Sequence, residues 1–144
     1  MKYRVMNIDD YNHVIKLWKS SEGIKLREAD SHSGIKKYLI RNPNLSFVAI
    51  DKFNNIIGSI MAGHDGKRGY LQHLIIHHDY QKLGIATELL SKCLKALKKE
   101  GIIKSHIHVL NINESGKEFW KRKGWIKRND IQIYSFINSK HENS

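Results

Sequence analysis

The sequence predicts an α/β (α+β) fold: a mixed, mostly antiparallel central sheet of about seven strands with helices on both faces. Three observations predict it. First, a strand-like run at residues 70–77 enters a helix-like run through the short stretch Gln81-Lys82-Leu83-Gly84-Ile85-Ala86, and Leu89, Leu90, Cys93, Leu94 and Leu97 then recur at helical spacing. Such a helix crosses over from one strand to a parallel neighbour. Second, residues 45–51, 56–64 and 68–77 are strand-like runs joined only by the turns Lys52-Phe53-Asn54-Asn55 and Asp65-Gly66, which makes three consecutive antiparallel strands. Third, no internal repeat or composition shift divides the 144 residues, so one domain spans 1–144.

Taken in order, residues 2–6 form a short strand. Asp9-Asp10 then caps a helix through about Trp18 with Tyr11, Val14, Ile15 and Trp18 on one face. Between Lys19 and Ser33 no period holds; Ser20-Ser21-Glu22-Gly23 and Glu28-Ala29-Asp30-Ser31 read as a loop that packs over a site. A second helix from Ser33 carries Ile35, Tyr38 and Leu39 inward and stops before Pro43. After the three antiparallel strands and the long helix, Gly101 suits a left-handed cap. Residues 102–110 read as a strand, residues 113–123 as a helix ended by Gly124, and residues 125–128 and 131–137 as two last strands. The predicted order is β-α-α-β-β-β-α-β-α-β-β, with 138–144 a flexible tail.

Apolar residues make up 40% and charged residues 27%, ordinary usage for a folded chain that buries a single core. No apolar run is long enough to cross a membrane, and Met1-Lys2-Tyr3-Arg4-Val5 lacks the apolar core of a signal peptide, so a cytoplasmic protein with no membrane partner is expected. One cysteine, Cys93, excludes an intrachain disulfide and sits on the apolar face of a helix as an inert thiol. Twenty-five lysines and arginines against 14 acids give a formal +11, a balance that attracts polyanions or phosphorylated cofactors. Much of this charge falls on solvated helix faces, such as Lys92, Lys95, Lys98 and Lys99, and Lys117, Lys121, Arg122 and Lys123.

Gly84 lacks a Cβ, so a ligand can approach the backbone there, and the first-turn amides of the following helix have no partners within it. With the positive end of the helix dipole they suit a phosphate. Asn113 to Trp125 forms a second informative stretch: Asn113 caps a helix, Gly116 allows close packing, and Phe119 and Trp120 enter the core.

Both stretches resemble the GNAT superfamily of N-acetyltransferases, whose element order the chain resembles over nearly its whole length. The family's acetyl-CoA motif is arginine or glutamine, two residues, glycine, one residue, then glycine or alanine. It is matched by Gln81, Gly84 and Ala86, and the aliphatic positions of the preceding strand by Leu74 and Ile76. The later pattern of asparagine, a small residue, an aromatic pair and a glycine-aromatic pair is matched by Asn113, Gly116, Phe119-Trp120 and Gly124-Trp125, in the right order and about 27 residues on.

The resemblance implies that the amides of Leu83, Gly84, Ile85, Ala86 and Thr87 bind the pyrophosphate of coenzyme A, with Gln81 and Lys82 shaping the loop. The backbone of Leu74, Ile75 and Ile76 would bond the pantetheine arm as an added strand does. Asn113 would reach the same arm beside Gly116, while Phe119 and Trp120 wall the thioester end. The implied chemistry is transfer of acetyl from acetyl-CoA to a primary amine of a small molecule, amino acid or peptide by direct attack. The implied acid is a tyrosine in many members; here Trp120 holds that position, and indole is no practical proton donor.

Alternation puts Tyr70 and Gln72 on the face of Leu74 and Ile76. Since a phenol with pKa near ~10 is a poor base at neutral pH, a water relay held by Tyr70 and Gln72 is expected. Glu28, Asp30 and Tyr134 are second choices, because the loop between the first two helices and the last strands commonly form the acceptor wall in this family. Of nine histidines, His73, His77, His78, His106 and His108 cluster on neighbouring strands without a metal-binding frame, so no metal is expected. The competing reading is a non-catalytic acyl-CoA-binding or nucleic-acid-associated module of the same fold. Nucleic acid is not an expected partner of the enzyme, which is read as a monomer or homodimer.

Overall fold

The computed structural model describes residues 1–21 and 24–140; Glu22 and Gly23 of the expected loop and 141–144 of the expected tail lie outside the described residues. The chain opens with β1 (Lys2–Val5) and a 3-10 turn, Ile8–Asp10, that runs into α1 (Tyr11–Lys19). The cap is Asn7 rather than the expected aspartates: its side chain accepts the Asp9 amide, while Asp10 accepts the Asn7 amide at 2.9 Å. Asp10 is instead 5% exposed and receives Arg4 through two 2.8 Å bonds, which tie β1 to the first turn. Burial alone would raise its pKa, but those bonds and the Asn7 amide hold it below the usual carboxylate value.

Ser31 caps α2 (His32–Arg41), which ends ahead of Pro43 as the sequence requires. The sheet has the order β1-β2-β3-β4-β5, with β2 (Phe47–Ile50), β3 (Ile56–His64), β4 (Gly69–Ile76) and β5 (Ser105–Ile107). Its first three junctions are antiparallel, and only β4 and β5 are parallel, joined through α3 (Ile85–Lys99). After β5 comes α4 (Glu114–Arg122).

The sheet separates two cores. On one face α3 buries Ile85, Leu89, Leu90, Cys93 and Leu97 against Ala49, Ile60, Ala62 and Leu71, with Trp120 of α4 added. On the other, Val14 and Trp18 of α1 and Ile35 of α2 pack on Val48, Ile50 and Met61. Helices on both faces and the mixed sheet are as the sequence predicts.

The strand count is not: five strands form among the described residues, against about seven expected. The run 102–110 contributes only the three residues of β5, and residues 125–128 and 131–137 join no ladder. In the last run Ile131 and Ile133 alternate with Tyr134 and Phe136, so both sides are apolar and neither is selected to face a core. Those side chains stand in solvent, Phe136 at 89% exposure.

Candidate active site

A cleft of about 1570 Å³ opens where β4 and β5 part. The two strands pair only through Gly69↔Ser105, Tyr70↔His106 and Leu71↔Ile107. Beyond Leu71, β4 keeps its partner β3 on one side and presents an unpaired edge toward the cleft on the other.

Just beyond the parting, β4 carries a β-bulge. Ser59 faces Ile75 and Met61 faces Gln72, so His73 and Leu74 together oppose the single residue Ile60. His73 takes φ +52°, a left-handed conformation that a residue with a Cβ adopts at a cost of about 1–3 kcal/mol. Surrounding groups fix it: Trp18 Nε1 donates to Ser59 Oγ at 2.8 Å, and Ser59 Oγ donates to the His73 carbonyl at 3.1 Å.

The bulge corrects the alternation read from sequence. Gln72 lies opposite Met61 on the α1 and α2 side, and the His73 ring packs on Trp18 with centroids 4.5 Å apart on that same side. Tyr70 is paired with Gly63, which itself abuts Tyr38 and Asn42. Leu74 and Ile76 pack instead with the α3 core. Tyr70 and Gln72 are therefore on the opposite face from Leu74 and Ile76, because one extra residue reverses the period of two.

The loop before α3 is shaped for an approaching ligand. Gly84 holds φ +82°, and a Cβ built on it would meet nothing within 4 Å. The first helical bond is the Glu88 amide to the Gly84 carbonyl, which leaves the amides of Ile85, Ala86 and Thr87 without helical partners, and all three residues line the cleft. Gln81 Nε2 donates to the Ile76 carbonyl at 3.4 Å, and Lys82 takes φ +62°, so both bend the chain out of β4. Leu83 points its side chain into solvent and can contribute only backbone. A tether absent from the sequence reading holds the loop from behind: the Tyr80 hydroxyl donates to Asp51 Oδ2 at 2.9 Å, and Asp51 also accepts the Phe53 and Asn55 amides.

Across the cleft, Asn113 Oδ1 accepts the Gly116 amide at 2.9 Å and caps α4. A Cβ on Gly116 would lie 2.4 Å from Asn113 Nδ2, which is why a glycine stands there. Phe119 and Trp120 meet edge to face with centroids 5.1 Å apart, and Trp120 packs on Trp125 at 4.6 Å. They form an apolar wall on the side of Leu74 and Ile76.

The opposite wall is polar. Tyr70, Gln72, His73, His106 and His108 line it together with Lys25 and Arg27 from the loop after α1. Behind His73, its Nε2 lies 2.7 Å from Asp30 Oδ1, with each side chain 11% exposed. Asp30 Oδ2 accepts the Arg27 amide at 2.8 Å, and its carbonyl accepts the Tyr11 hydroxyl at 2.7 Å. Burial opposes ionisation of Asp30, but the His73 and Arg27 bonds hold its pKa below the ordinary value. His106 is lowered by burial and by the nearby cations Lys104, Arg128 and Arg68, a sign of positive potential at this wall.

Tyr134 is not brought here; it stands 88% exposed on the unpaired C-terminal run. Glu28 is exposed in the turn ahead of Asp30 and lies outside the cleft lining. Sequence reasoning passed over His73, whose side-chain direction depends on a bulge that no glycine announces.

The sequence profile of the Acetyltransferase (GNAT) family matches residues 11–125. An acetyltransferase of Sodalis glossinidius is 35% identical over 115 residues, 80% of each chain. Another, from Yersinia pseudotuberculosis, is 34% identical over 133 residues, 92% of this chain and 93% of its own. In fold, the chain is similar to the PaiA N-acetyltransferase of Thermoplasma acidophilum solved with coenzyme A, with a TM-score of 0.73 and 23% identity over 85% of this chain and 87% of that one. No helix among the described residues is long and apolar enough to cross a membrane. The profile match over most of the chain and the two long alignments make this protein an acetyltransferase of the GNAT family.

Proposed function

We propose that this acetyltransferase moves the acetyl group of acetyl-CoA to a primary amine by direct attack, and that the acceptor carries a carboxylate or phosphate besides its amine. The observation that carries the donor half is the head of α3, where an open Gly84 and unpaired first-turn amides adjoin the free edge of β4. Bound there, acetyl-CoA supplies an activated thioester carbonyl. The amides from Leu83 to Thr87 hold its pyrophosphate, with Gln81 and Lys82 fixing the loop. The backbone of Leu74, Ile75 and Ile76 bonds the pantetheine arm, with Asn113 and Gly116 facing it, and Phe119 and Trp120 exclude water from the thioester. Tyr70 and Gln72, on the polar wall, orient the acceptor and its water.

The charge of the cleft supports the acceptor class. Among the described lining residues Glu114 is the one carboxylate, and it pairs with Lys117 at 2.8 Å. Lys25 and Arg27 stand at the acceptor end instead. A polycation would meet repulsion there, whereas an anionic group beside the amine would be drawn in.

Calorimetry with acetyl-CoA is expected to give saturable binding at one site per chain; no heat at millimolar cofactor overturns the donor reading. Thiol release across an amine panel is expected to favour glycine, β-alanine and O-phosphoethanolamine over spermidine by at least about tenfold. Preference for spermidine overturns the acceptor class.

A further inference from the structure

We infer that His73 is the general base of the transfer, with Asp30 its positioning residue; this rests on the amine-acetylation reading above. The bulge turns His73 toward the acceptor wall and leaves Leu74, the next residue, on the opposite face, so the base and the free strand edge meet at adjacent positions. The ring is gripped on two sides, by Trp18 at 4.5 Å and by Asp30 Oδ1 at 2.7 Å on Nε2. Asp30 in turn is fixed by the Arg27 amide and the Tyr11 hydroxyl. An ionised carboxylate can only accept a hydrogen bond, so Nε2 carries the ring proton and Nδ1 carries the lone pair. No described residue hydrogen-bonds Nδ1, and His73 lines the cleft. Imidazole is the side chain best suited to exchanging a proton near neutral pH, and a buried carboxylate behind it stabilises the imidazolium that forms.

In the step, Nδ1 takes one proton from the acceptor ammonium. The lone pair so freed forms the C–N bond at the thioester carbonyl as the C–S bond breaks. The sulfur leaves with the electron pair of that bond and takes up the second amine proton, and the imidazolium returns the first to water. The charged and titratable groups around His73 are Asp30 behind it, Tyr11 on the Asp30 carbonyl, and Lys25, Arg27, Tyr70, His106 and His108 along the wall.

The test compares wild type, His73→Gln and Asp30→Asn with acetyl-CoA and whichever of glycine, β-alanine and O-phosphoethanolamine turns over fastest. His73→Gln is expected to lower kcat/KM by roughly 10²–10⁴-fold and to remove its acid limb, with acetyl-CoA affinity by calorimetry within about twofold. Asp30→Asn is expected to lower kcat/KM less and to move the acid limb to lower pH, because the imidazolium loses its anionic partner. Independent of turnover, 15N-histidine spectra at alkaline pH are expected to show His73 protonated at Nε2 alone. Activity of His73→Gln within about threefold of wild type, or a ring protonated at Nδ1, overturns the assignment while the acetylation reading stands. A wild type that binds acetyl-CoA but acetylates none of the three amines overturns that reading and this inference with it.

Discussion

The two faces of β4 present different chemistry to the cleft and were differently visible in the sequence. Leu74 and Ile76 look toward α3 and the apolar wall of Phe119 and Trp120. Gln72 and His73, between the same strand ends, look toward Trp18, Asp30 and the loop after α1. One inserted residue at the bulge produces the division. In the proposed site the donor face relies on backbone: an open glycine, unpaired amides and a strand edge. The acceptor face relies on side chains held in a buried polar network.

The donor face is the easier to break. Gly84→Val forces a β-branched side chain to φ +82° at a residue that lines the cleft. Acetyl-CoA affinity is expected to fall by at least about 100-fold in calorimetry, equivalent to about 2.7 kcal/mol. The histidine spectrum of His73 is expected to stay unchanged, since nothing on the other face has moved. If both faces respond together, the two do not act separately.

The converse variant is Trp18→Phe. It keeps an aromatic ring in a fully buried site but removes the Nε1 bond to Ser59 that secures the bulge carbonyl. A loss of about 1–2 kcal/mol in urea unfolding is expected, with a lower kcat and an acetyl-CoA affinity within about twofold of wild type. Equal loss of donor binding would show that the bulge also shapes the donor edge.

These two positions explain how far the sequence could be read. In the proposed donor site Gly84 and Ala86 act through the backbone, and backbone chemistry leaves a local imprint: a glycine where φ is positive, a helix that follows, a strand that precedes. The order of the first nine helices and strands followed from the same kind of local signal. His73 left no such imprint, because its φ of +52° is imposed by Trp18 and Ser59 from 55 and 14 positions earlier in the chain. Counting in twos across an unseen bulge therefore assigned Tyr70 and Gln72 to the wrong face. The final strands failed for the opposite reason: residues 131–137 alternate well, yet with apolar side chains on both sides the alternation selects no face.

Tyr80→Phe sharpens the comparison from the donor side. The Tyr80 hydroxyl anchors the turn ahead of the loop to Asp51, and no atom of it belongs to the polar wall network around His73. Acetyl-CoA affinity is expected to drop about fivefold through loosening of the loop, with the acid limb of kcat/KM unmoved. A shifted acid limb would contradict the separation of faces.

Acid unfolding reaches the acceptor side through Asp30. Asp30 and Asp10 both have folded-state pKa values below the usual carboxylate value: burial opposes this, and the bonds from His73 and Arg27 in one case and Arg4 and Asn7 in the other outweigh it. A depressed carboxylate contributes stability that is fully present above its unfolded pKa and is lost as pH falls through its folded pKa. Urea melts from neutral pH downward are expected to lose stability below about pH 4. Asp30→Asn is expected to be less stable at neutral pH and to show a shallower acid slope, with the Asp10 share remaining. An unchanged slope would mean that the Asp30 to His73 bond adds nothing to folding.

The smallest effect is expected at Tyr134. On the acetyltransferase resemblance the last strands commonly supply part of the acceptor wall, which made Tyr134 a candidate; in the structure its hydroxyl donates to Gln132 Oε1 at 2.9 Å and the ring stands in solvent. An exposed side chain that touches neither core nor cleft contributes within about 0.5 kcal/mol. Tyr134→Ala is therefore expected to leave thermal stability, acetyl-CoA affinity and kcat/KM unchanged. The three readouts separate the ways this could be wrong. A lower melting temperature alone would mean that the run 131–137 packs on the sheet in solution. A lower kcat/KM with unchanged acetyl-CoA affinity would place Tyr134 beside the acceptor, and the polar wall of Tyr70, Gln72 and His73 would then be only half of that surface.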